Sequence, residues 1–343
     1  MITRQTIRHS IEELSSITGA RLVVFDLHGT VVADTESGGS NPASLFESAQ
    51  PVSDDEQDRY LVAASGENAP MVQRIAASQL HELLIAYQER IDRNIFFQNL
   101  LLDNLLLVDI GSRAKKLHIE DRVRRVIYLV EVGSVSDTPA MEVLSGMFSP
   151  AGGDQVTSVD EASAIVIKSL STEDSEEQID QVARDIASVL NTEAMINARV
   201  AYGTPVDELR HLSKSYKEAM LALEVAKIFY AGDSISAYSS LGIGRLIYQL
   251  PANLCRMFIT EIFGDDHILD LDEETRITAD SFFENNLNVS ETARKLFVHR
   301  NTLVYRIDKL QKELGLDIRN FDDALTLKIS LMVHSYLKYL DKK

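Results

Sequence analysis

Cysteine is almost absent from this chain, and so are the patterns typical of secreted and membrane proteins. The single thiol, Cys255, cannot form a disulfide within the chain, which is typical of a protein kept in a reducing cytoplasm. No stretch approaches the roughly 20 uninterrupted apolar residues of a membrane-spanning helix. The first ten residues also lack the apolar core of a signal peptide. We therefore expect a cytoplasmic protein with no membrane partner.

Patterns that bind metals and cofactors are missing as well. The eight histidines are scattered without a close i, i+3 or i+4 pair, so no metal site is predicted. Gly242 and Gly244 lack the third glycine and the preceding strand of a nucleotide-binding loop. We expect neither a metal nor a cofactor.

What the chain does contain is enough apolar material for several domains and one unusual distribution of charge. Its 343 residues, 45% of them hydrophobic, allow two or three domains with buried cores. The formal net charge is −18, yet residues 294–319 hold seven basic and three acidic side chains. A basic stretch on an acidic protein indicates a localised contact with a polyanion.

Residues 286–307, which overlap the basic stretch, predict two short helices separated by a turn. Ser290 is placed to cap the first helix, whose apolar residues follow at helical spacing. In the second, Leu303, Ile307, Leu310 and Leu314 recur on one face and predict its buried side. This pattern is typical of a helix-turn-helix.

The opposite face of the second predicted helix is polar. In a helix-turn-helix the N-terminal residues of the second helix lie against base edges in the major groove. Arginine can bind guanine and asparagine adenine, while threonine and tyrosine suit phosphate or thymine-methyl contacts. The alternative is the solvated face of an ordinary helix. The predicted DNA-binding residues are Arg300, Asn301, Thr302, Tyr305, Arg306, Ser290 and Lys309.

Residues 298–307, Val-His-Arg-Asn-Thr-Leu-Val-Tyr-Arg-Ile, are followed by Leu-Gly-Leu-Asp at 314–317 and Asn-Phe-Asp-Asp at 320–323. Together they resemble the C-terminal domain of the PucR/CdaR-type transcription regulators. The resemblance implies a Fis-like helix-turn-helix, a homodimer or higher homo-oligomer, and control of a catabolic operon. Carried over residue by residue, it places Arg300, Asn301, Thr302, Tyr305 and Arg306 against DNA.

The middle of the chain predicts elements in the order β-α-β-β-α-β, which is ferredoxin-like. This order matches the degenerate cyclase-type, GGDEF-like domain found centrally in CdaR-like regulators. The predicted elements are a strand at 126–130, a helix at 140–148, hairpin strands at 155–157 and 164–167, a helix at 179–190 and a strand at 196–202.

The sequence Gly152-Gly153-Asp154 resembles the start of the G-G-D-E-F motif of active diguanylate cyclases. Gln155 and Val156 replace the glutamate and phenylalanine, however, and the hairpin turn is predicted later, around 159–163. Glu131 alone does not assemble the two-metal geometry of phosphoryl transfer. We therefore predict an interaction or allosteric scaffold without catalytic residues.

Near the N-terminus, a helix ending at Gly19 precedes an apolar strand at 21–25, and Asp26-Leu27-His28-Gly29-Thr30 follows. This run resembles the D-x-D-G-T signature of haloacid-dehalogenase-type phosphatases, but His28 replaces the second carboxylate and no β-α-β series follows. The alternative is a hairpin whose turn spans 26–29 and joins strands 21–25 and 30–33.

With a further strand at 59–64 and a short helix near 43–48, the first segment resembles a reduced PAS or GAF sensor domain. Such a domain would bind a small-molecule effector between its sheet and helices, or it would only dimerise if the pocket has collapsed. A long amphipathic helix at 70–99 suits a dimer seam or a signalling helix. Residues 100–110, apolar on all sides, predict a helix buried between domains or protomers.

We therefore predict an α+β multidomain protein. Its segments are a small PAS/GAF-like sensor domain (1–68), long signalling or dimerisation helices (69–120), a degenerate GGDEF-like domain (121–235), a helical linker (236–270) and an all-α helix-turn-helix domain (271–343). The predicted function is a sequence-specific transcription regulator, not an enzyme, whose partners are a double-stranded DNA operator, a second copy of the chain and, where the N-terminal pocket is open, a small-molecule effector. The alternatives are a phosphatase using Asp26 and an interaction protein with a relic helix-turn-helix.

Overall fold

The computed structural model describes residues 2–36, 41–53, 57–135, 139–264 and 271–342. They divide into two compact units. The first unit comprises Met1–Asn99 and Leu105–Glu120, and the second comprises Leu100–Asn104 and Asp121–Lys343. None of the described helices combines the length and apolar character that crossing a bilayer requires.

The first unit is built on a four-stranded antiparallel sheet. Helix α1 (Arg4–Thr18) ends at Gly19, which adopts a left-handed conformation, and a short 3-10 helix spans Pro42–Ser48. The strands are β1 (Arg21–Phe25), β2 (Val31–Asp34), β3 (Gln50–Ser53) and β4 (Asp58–Ser65), in the order β2-β1-β4-β3. The predicted hairpin of the first two strands is confirmed, while β3 was not predicted.

Strand β1 is buried on both faces, which explains its uninterrupted apolar sequence. Successive side chains of a strand point to opposite faces. Leu22 and Val24 pack in the core that includes Ile7 of α1, whereas Val23 and Phe25 pack on the other side. There the ring of Phe25 meets the ring of Phe46 edge-on, with centroids 5.4 Å apart.

Two helices follow the sheet, α2 (Ala69–Leu101) and α3 (Leu107–Lys116). The long predicted helix is confirmed, but the prediction of a buried helix over 100–110 is wrong. Helix α2 ends at Leu101, Asp103 has a φ of 56°, and Leu106 and Val108 are exposed. Aspartate and asparagine tolerate the left-handed conformation and favour turns, so Asp103-Asn104 interrupts the apolar run.

The second unit begins with a five-stranded sheet. Its elements are β5 (Arg125–Glu131), α4 (Ala140–Met147), β6 (Gln155–Thr157), β7 (Ser163–Ser169), α5 (Glu176–Glu193), β8 (Arg199–Tyr202), α6 (Leu212–Phe229) and β9 (Ile235–Ala237). The sheet order is β6-β7-β5-β8-β9, with β9 parallel to β8 and every other pair antiparallel. The predicted β-α-β-β-α-β order is confirmed, and β9 extends the sheet by one strand.

Helices cover both faces of this sheet. Val126, Tyr128 and Val130 of β5 pack in the core with α4 and α5, and the Tyr128 hydroxyl donates a hydrogen bond to the Ile179 carbonyl (2.8 Å). Helix α6 lies against β5 and β8. Its approach requires Gly203, because a Cβ there would lie 2.1 Å from the Ser215 carbonyl oxygen.

Six helices complete the second unit. They are α7 (Gly242–Tyr248), α8 (Ala252–Phe263), α9 (Glu273–Glu284), α10 (Val289–Lys295), α11 (Arg300–Leu314) and α12 (Phe321–Leu340). Cys255 of α8 is buried with Val333 and Tyr336 of α12, so part of the predicted linker belongs to the helical core. The last residues of that linker, 265–270, lie outside the described part of the chain.

Candidate nucleic-acid interface

Asn288 caps the N-terminus of helix α10. Its side-chain oxygen accepts hydrogen bonds from the backbone N–H groups of Ser290 (3.0 Å) and Glu291 (3.2 Å). The prediction that Ser290 caps this helix is therefore wrong, and Ser290 is instead an exposed residue of the first turn. Asparagine caps helices as well as serine does, and Asn288 lies where its oxygen reaches both free N–H groups.

A tight turn joins α10 to α11. Leu296 ends α10, Phe297 adopts a φ of 55°, and the Val298 N–H donates to the Ala293 carbonyl (3.0 Å). His299 then caps α11, because its Nδ1 accepts from the backbone N–H of Asn301 (3.2 Å). The N-terminus of α11 is thus held by contacts within the motif itself.

The predicted buried face of α11 is confirmed. Leu303, Ile307 and Leu310 are buried, and Leu314 is partly buried against the same core. Phe282 of α9, Ala293 of α10 and Leu327 of α12 belong to this core, so three helices hold α11 in place.

The polar face of the first turns of α11 is open to solvent. It carries Arg300, Asn301, Thr302 and Tyr305, all exposed, with Tyr305 at 70%. Within the described part of the chain, none of these four side chains has a hydrogen-bond or ion-pair partner. The structure therefore brings together four predicted site residues with free donors and acceptors.

Arg306 and Lys309 have different surroundings, because both lie against the first turn of α9. The Arg306 guanidinium, 24% exposed, contacts Glu274 at 2.6 Å and donates to the Thr278 hydroxyl at 3.4 Å. Lys309 lies 3.7 Å from Asp272. Hydrogen bonds from the Thr275 hydroxyl and backbone N–H lower the pKa of Asp272, which keeps this carboxylate charged beside the lysine.

Most other basic residues of the motif are also paired. Arg294 contacts Glu291 (2.6 Å), and Lys295 contacts Glu284 (2.5 Å). Arg319 contacts Asp308 and Asp317. Among the described residues, Arg300 and Lys312 are the basic side chains of 294–319 without an acidic partner. The count of charges along the sequence missed this, because Asp272, Glu274 and Glu284 come from a separate helix.

The phosphatase-like run at Asp26 forms a hairpin turn. The Asp26 carboxylate accepts from the backbone N–H groups of Thr30 (2.8 Å) and His28 (2.9 Å), and Gly29 has a φ of 83°. These hydrogen bonds, that from Thr30 foremost, lower the pKa of Asp26. The turn alone accounts for this aspartate and this glycine.

The cyclase-like residues are likewise held by structural contacts. Asp154 is buried, lies 2.9 Å from the Lys168 ammonium and accepts from the Ser169 N–H (2.9 Å). Glu131 lies 2.6 Å from the Lys227 ammonium. No group of three or more potential metal ligands occurs among the residues that the structure describes.

Comparison with known proteins finds two family matches, which lie mostly within the second unit. Residues 276–333 match the family model of the PucR C-terminal helix-turn-helix domain, and residues 105–225 match that of the GGDEF-like domain. The first match covers α10 and α11 completely, including the four open side chains.

Three regulators are among the similar proteins. The carbohydrate diacid regulator of Escherichia coli (strain K12) is 26% identical over 230 residues, which is 64% of this chain and 60% of the relative. The proline-responsive transcriptional activator PutR of Bacillus subtilis (strain 168) is 29% identical over 39% of this chain and 34% of its own length. The purine catabolism regulatory protein of the same organism is 25% identical over 34% and 22%.

The matches span less than two thirds of the length of each of these relatives. The chain thus contains a GGDEF-like domain and a PucR-type C-terminal helix-turn-helix domain, and it is similar to regulators of the PucR/CdaR type.

Proposed function

We propose that this protein is a sequence-specific DNA-binding transcription regulator of the PucR/CdaR type, with α11 as its recognition helix. The observation that carries the proposal is the open, unpaired polar face formed by Arg300, Asn301, Thr302 and Tyr305. This face lies at the N-terminus of a helix preceded by a second short helix, which is where a helix-turn-helix presents its base-contacting residues to the major groove. The match to the PucR helix-turn-helix domain supports the same function.

Each side chain of this face has a role in the proposal. Arg300 binds guanine through two hydrogen bonds and Asn301 binds adenine, while Thr302 and Tyr305 contact phosphate or a thymine methyl group. Ser290, exposed in the first turn of α10, donates to a backbone phosphate. Arg306 and Lys309 bind phosphates after they release the carboxylates of Glu274 and Asp272.

The proposed active form is a homodimer bound to a palindromic operator. Two recognition helices then enter successive major grooves about 34 Å apart. Light scattering on the full chain, alone and with operator, measures this stoichiometry. A single copy bound to one half-site contradicts the dimer but not DNA binding.

In the first unit we propose a PAS/GAF-like sensor domain that responds to an effector, and in the GGDEF-like domain a scaffold without catalysis. The names of the relatives, which refer to carbohydrate diacids, proline and purine catabolism, support control of a catabolic operon. A transcription regulator acts where the DNA is, so a cytoplasmic location goes with this function. A thermal-shift screen of sugar acids, amino acids and purine intermediates tests for the effector.

The decisive experiment compares Arg300→Ala with the parent on an operator selected from a randomised duplex pool. We expect a loss of about 1–3 kcal/mol of binding free energy, because the guanine contact is removed. Lys312→Ala is the matched control, since Lys312 is also exposed and unpaired but lies in the last turns of α11. Circular dichroism of both variants should equal that of the parent.

Salt dependence separates this function from its alternatives. A DNA-binding regulator loses affinity steeply as salt rises, because counterions are released from neutralised phosphates. A pure interaction protein shows no such binding. A phosphatase would instead hydrolyse a phosphoester with magnesium and lose that activity in Asp26→Asn. If Arg300→Ala binds as tightly as the parent, the assignment of α11 to the groove is wrong.

A further inference from the structure

Phe297 combines two features that are unfavourable for an isolated protein. Its side chain is 97% exposed, and its backbone lies in the left-handed region with a φ of 55°. Glycine and asparagine adopt that conformation readily, but for a bulky residue such as phenylalanine it is uncommon and costs free energy. The turn between α10 and α11 requires the conformation but does not require a phenylalanine.

The hydrophobic core does not account for the ring either. The neighbours Leu296 and Val298 pack against the core that contains Leu303 and Ile307, whereas Phe297 does not belong to it. Glycine at this position would adopt the same φ without strain and would expose no apolar ring. A partner that covers the ring would remove this apolar surface from water.

The residues around Phe297 favour one class of partner. It precedes Arg300 by three residues, so the two Cα atoms lie within about 11 Å of each other. On its other side, Arg294 and Lys295 are exposed and are paired with Glu291 and Glu284. An apolar ring close to the unpaired Arg300, at the helix end proposed to enter the groove, suits a nucleic acid better than the apolar surface of another protein.

We propose that Phe297 is a DNA contact, its ring packing against the apolar surface of the duplex at the wall of the major groove. Thymine C5-methyl groups and deoxyribose carbons are the apolar parts of that surface, and phenylalanine is one of the side chains that contact the thymine methyl. This inference rests on the proposed function, because it requires that α11 enters the groove.

The test is the variant Phe297→Gly, measured for both operator affinity and thermal stability. We expect operator binding to weaken about tenfold, a change typical of a lost base-edge contact. The thermal midpoint of the variant should equal or exceed that of the parent, because the left-handed strain is relieved. Phe321→Ala, which removes another exposed phenylalanine of the same unit, should change affinity by less than about twofold.

Replacing each operator thymine in turn by deoxyuridine removes one methyl group at a time. If one replacement weakens binding of the parent but not of Phe297→Gly, the ring contacts that methyl. If none does while Phe297→Gly still binds weakly, the contact is with deoxyribose, and the proposal stands. If Phe297→Gly binds like the parent, the proposal is overturned. If the parent itself selects no DNA, the proposed function fails first and this inference fails with it.

Discussion

Two arginines of α11, six residues apart, differ in what a substitution would report. Arg300 is exposed and has no partner among the described residues, so its removal leaves the folded protein unchanged. Arg306 is held by Glu274 and Thr278, so its removal leaves a carboxylate without its partner as well. Loss of DNA binding in an Arg306 variant would therefore combine two causes, whereas loss in an Arg300 variant would have one.

The cap of α10 is a residue-scale prediction. Asn288→Ala should lower the free energy of unfolding by about 1 kcal/mol, because two N–H groups at the helix start lose their acceptor. Ser290→Ala should stay within about 0.5 kcal/mol of the parent, since its side chain makes no cap contact. Urea denaturation monitored by circular dichroism measures both, and a larger loss in Ser290→Ala would contradict the cap assignment.

At the scale of elements, the first turn of α9 is acidic and lies against the basic side of α11. Asp272 and Glu274 pair with Lys309 and Arg306, while Glu273 at the same helix end pairs with Arg276 of its own helix at 3.6 Å. This contact competes with phosphate for the two cations. In the proposed complex, α9 therefore weakens DNA binding while it positions α11.

Glu274→Gln should tighten operator binding about two- to fivefold, because Arg306 no longer exchanges a carboxylate for a phosphate. The slope of log K against log salt should steepen by roughly 0.9, the value for one additional neutralised phosphate. Fluorescence anisotropy over a salt series measures both quantities.

Glu273→Gln is the matched control, because it removes the same charge one residue away from the Arg306 contact. It should change the affinity and the salt slope less than Glu274→Gln does. Equal effects of the two variants would show that net charge alone, rather than the release of Arg306, determines the change.

At the scale of the whole molecule, each unit contains an apolar core, and the first unit also contains a buried ion pair. Arg21, 5% exposed, is held by Asp34 at 2.6 Å, with Glu36 further away at 3.7 Å. Burial alone would raise the pKa of Asp34, but the hydrogen bond from Arg21, with others, lowers it below the usual value. The carboxylate is therefore charged throughout the physiological range.

Asp34→Asn should destabilise the first unit by about 3 kcal/mol, because it removes the nearer of the two carboxylates that pair with a buried guanidinium. Hydrogen exchange of the β1 and β4 amides, read by mass spectrometry, measures the change. Glu12→Gln, which breaks the exposed pair with Arg8, should have little effect. Equal losses of stability in the two variants would show that burial of the ion pair does not determine its contribution to stability.

The same pair predicts a pH dependence of the first unit. A carboxyl group whose pKa is lower in the folded than in the unfolded state contributes stability above its unfolded pKa of about 3.9 and loses it as the pH falls through the folded value. The first unit should therefore lose stability below about pH 4. Asp34→Asn should show a flatter pH profile over the same range, measured by the same hydrogen exchange.

Much of the second unit was predictable because its patterns are local. Alternation of period two and spacing of three and four residues decide strand and helix from neighbours along the chain, and they placed β5 through β8 and the buried face of α11. The exposure of Arg300, Asn301 and Tyr305 follows from the same spacing. Their role in DNA binding remains a prediction.

The sequence by itself thus determined the order of elements from β5 to β8, the helix-turn-helix and the polar face of α11, since each depends on residues within a few turns of one another. Only the tertiary structure decided which cations stay unpaired, because Asp272, Glu274 and Glu284 reach the motif from α9, and a carboxylate acts over a few ångströms of space whatever its distance along the chain.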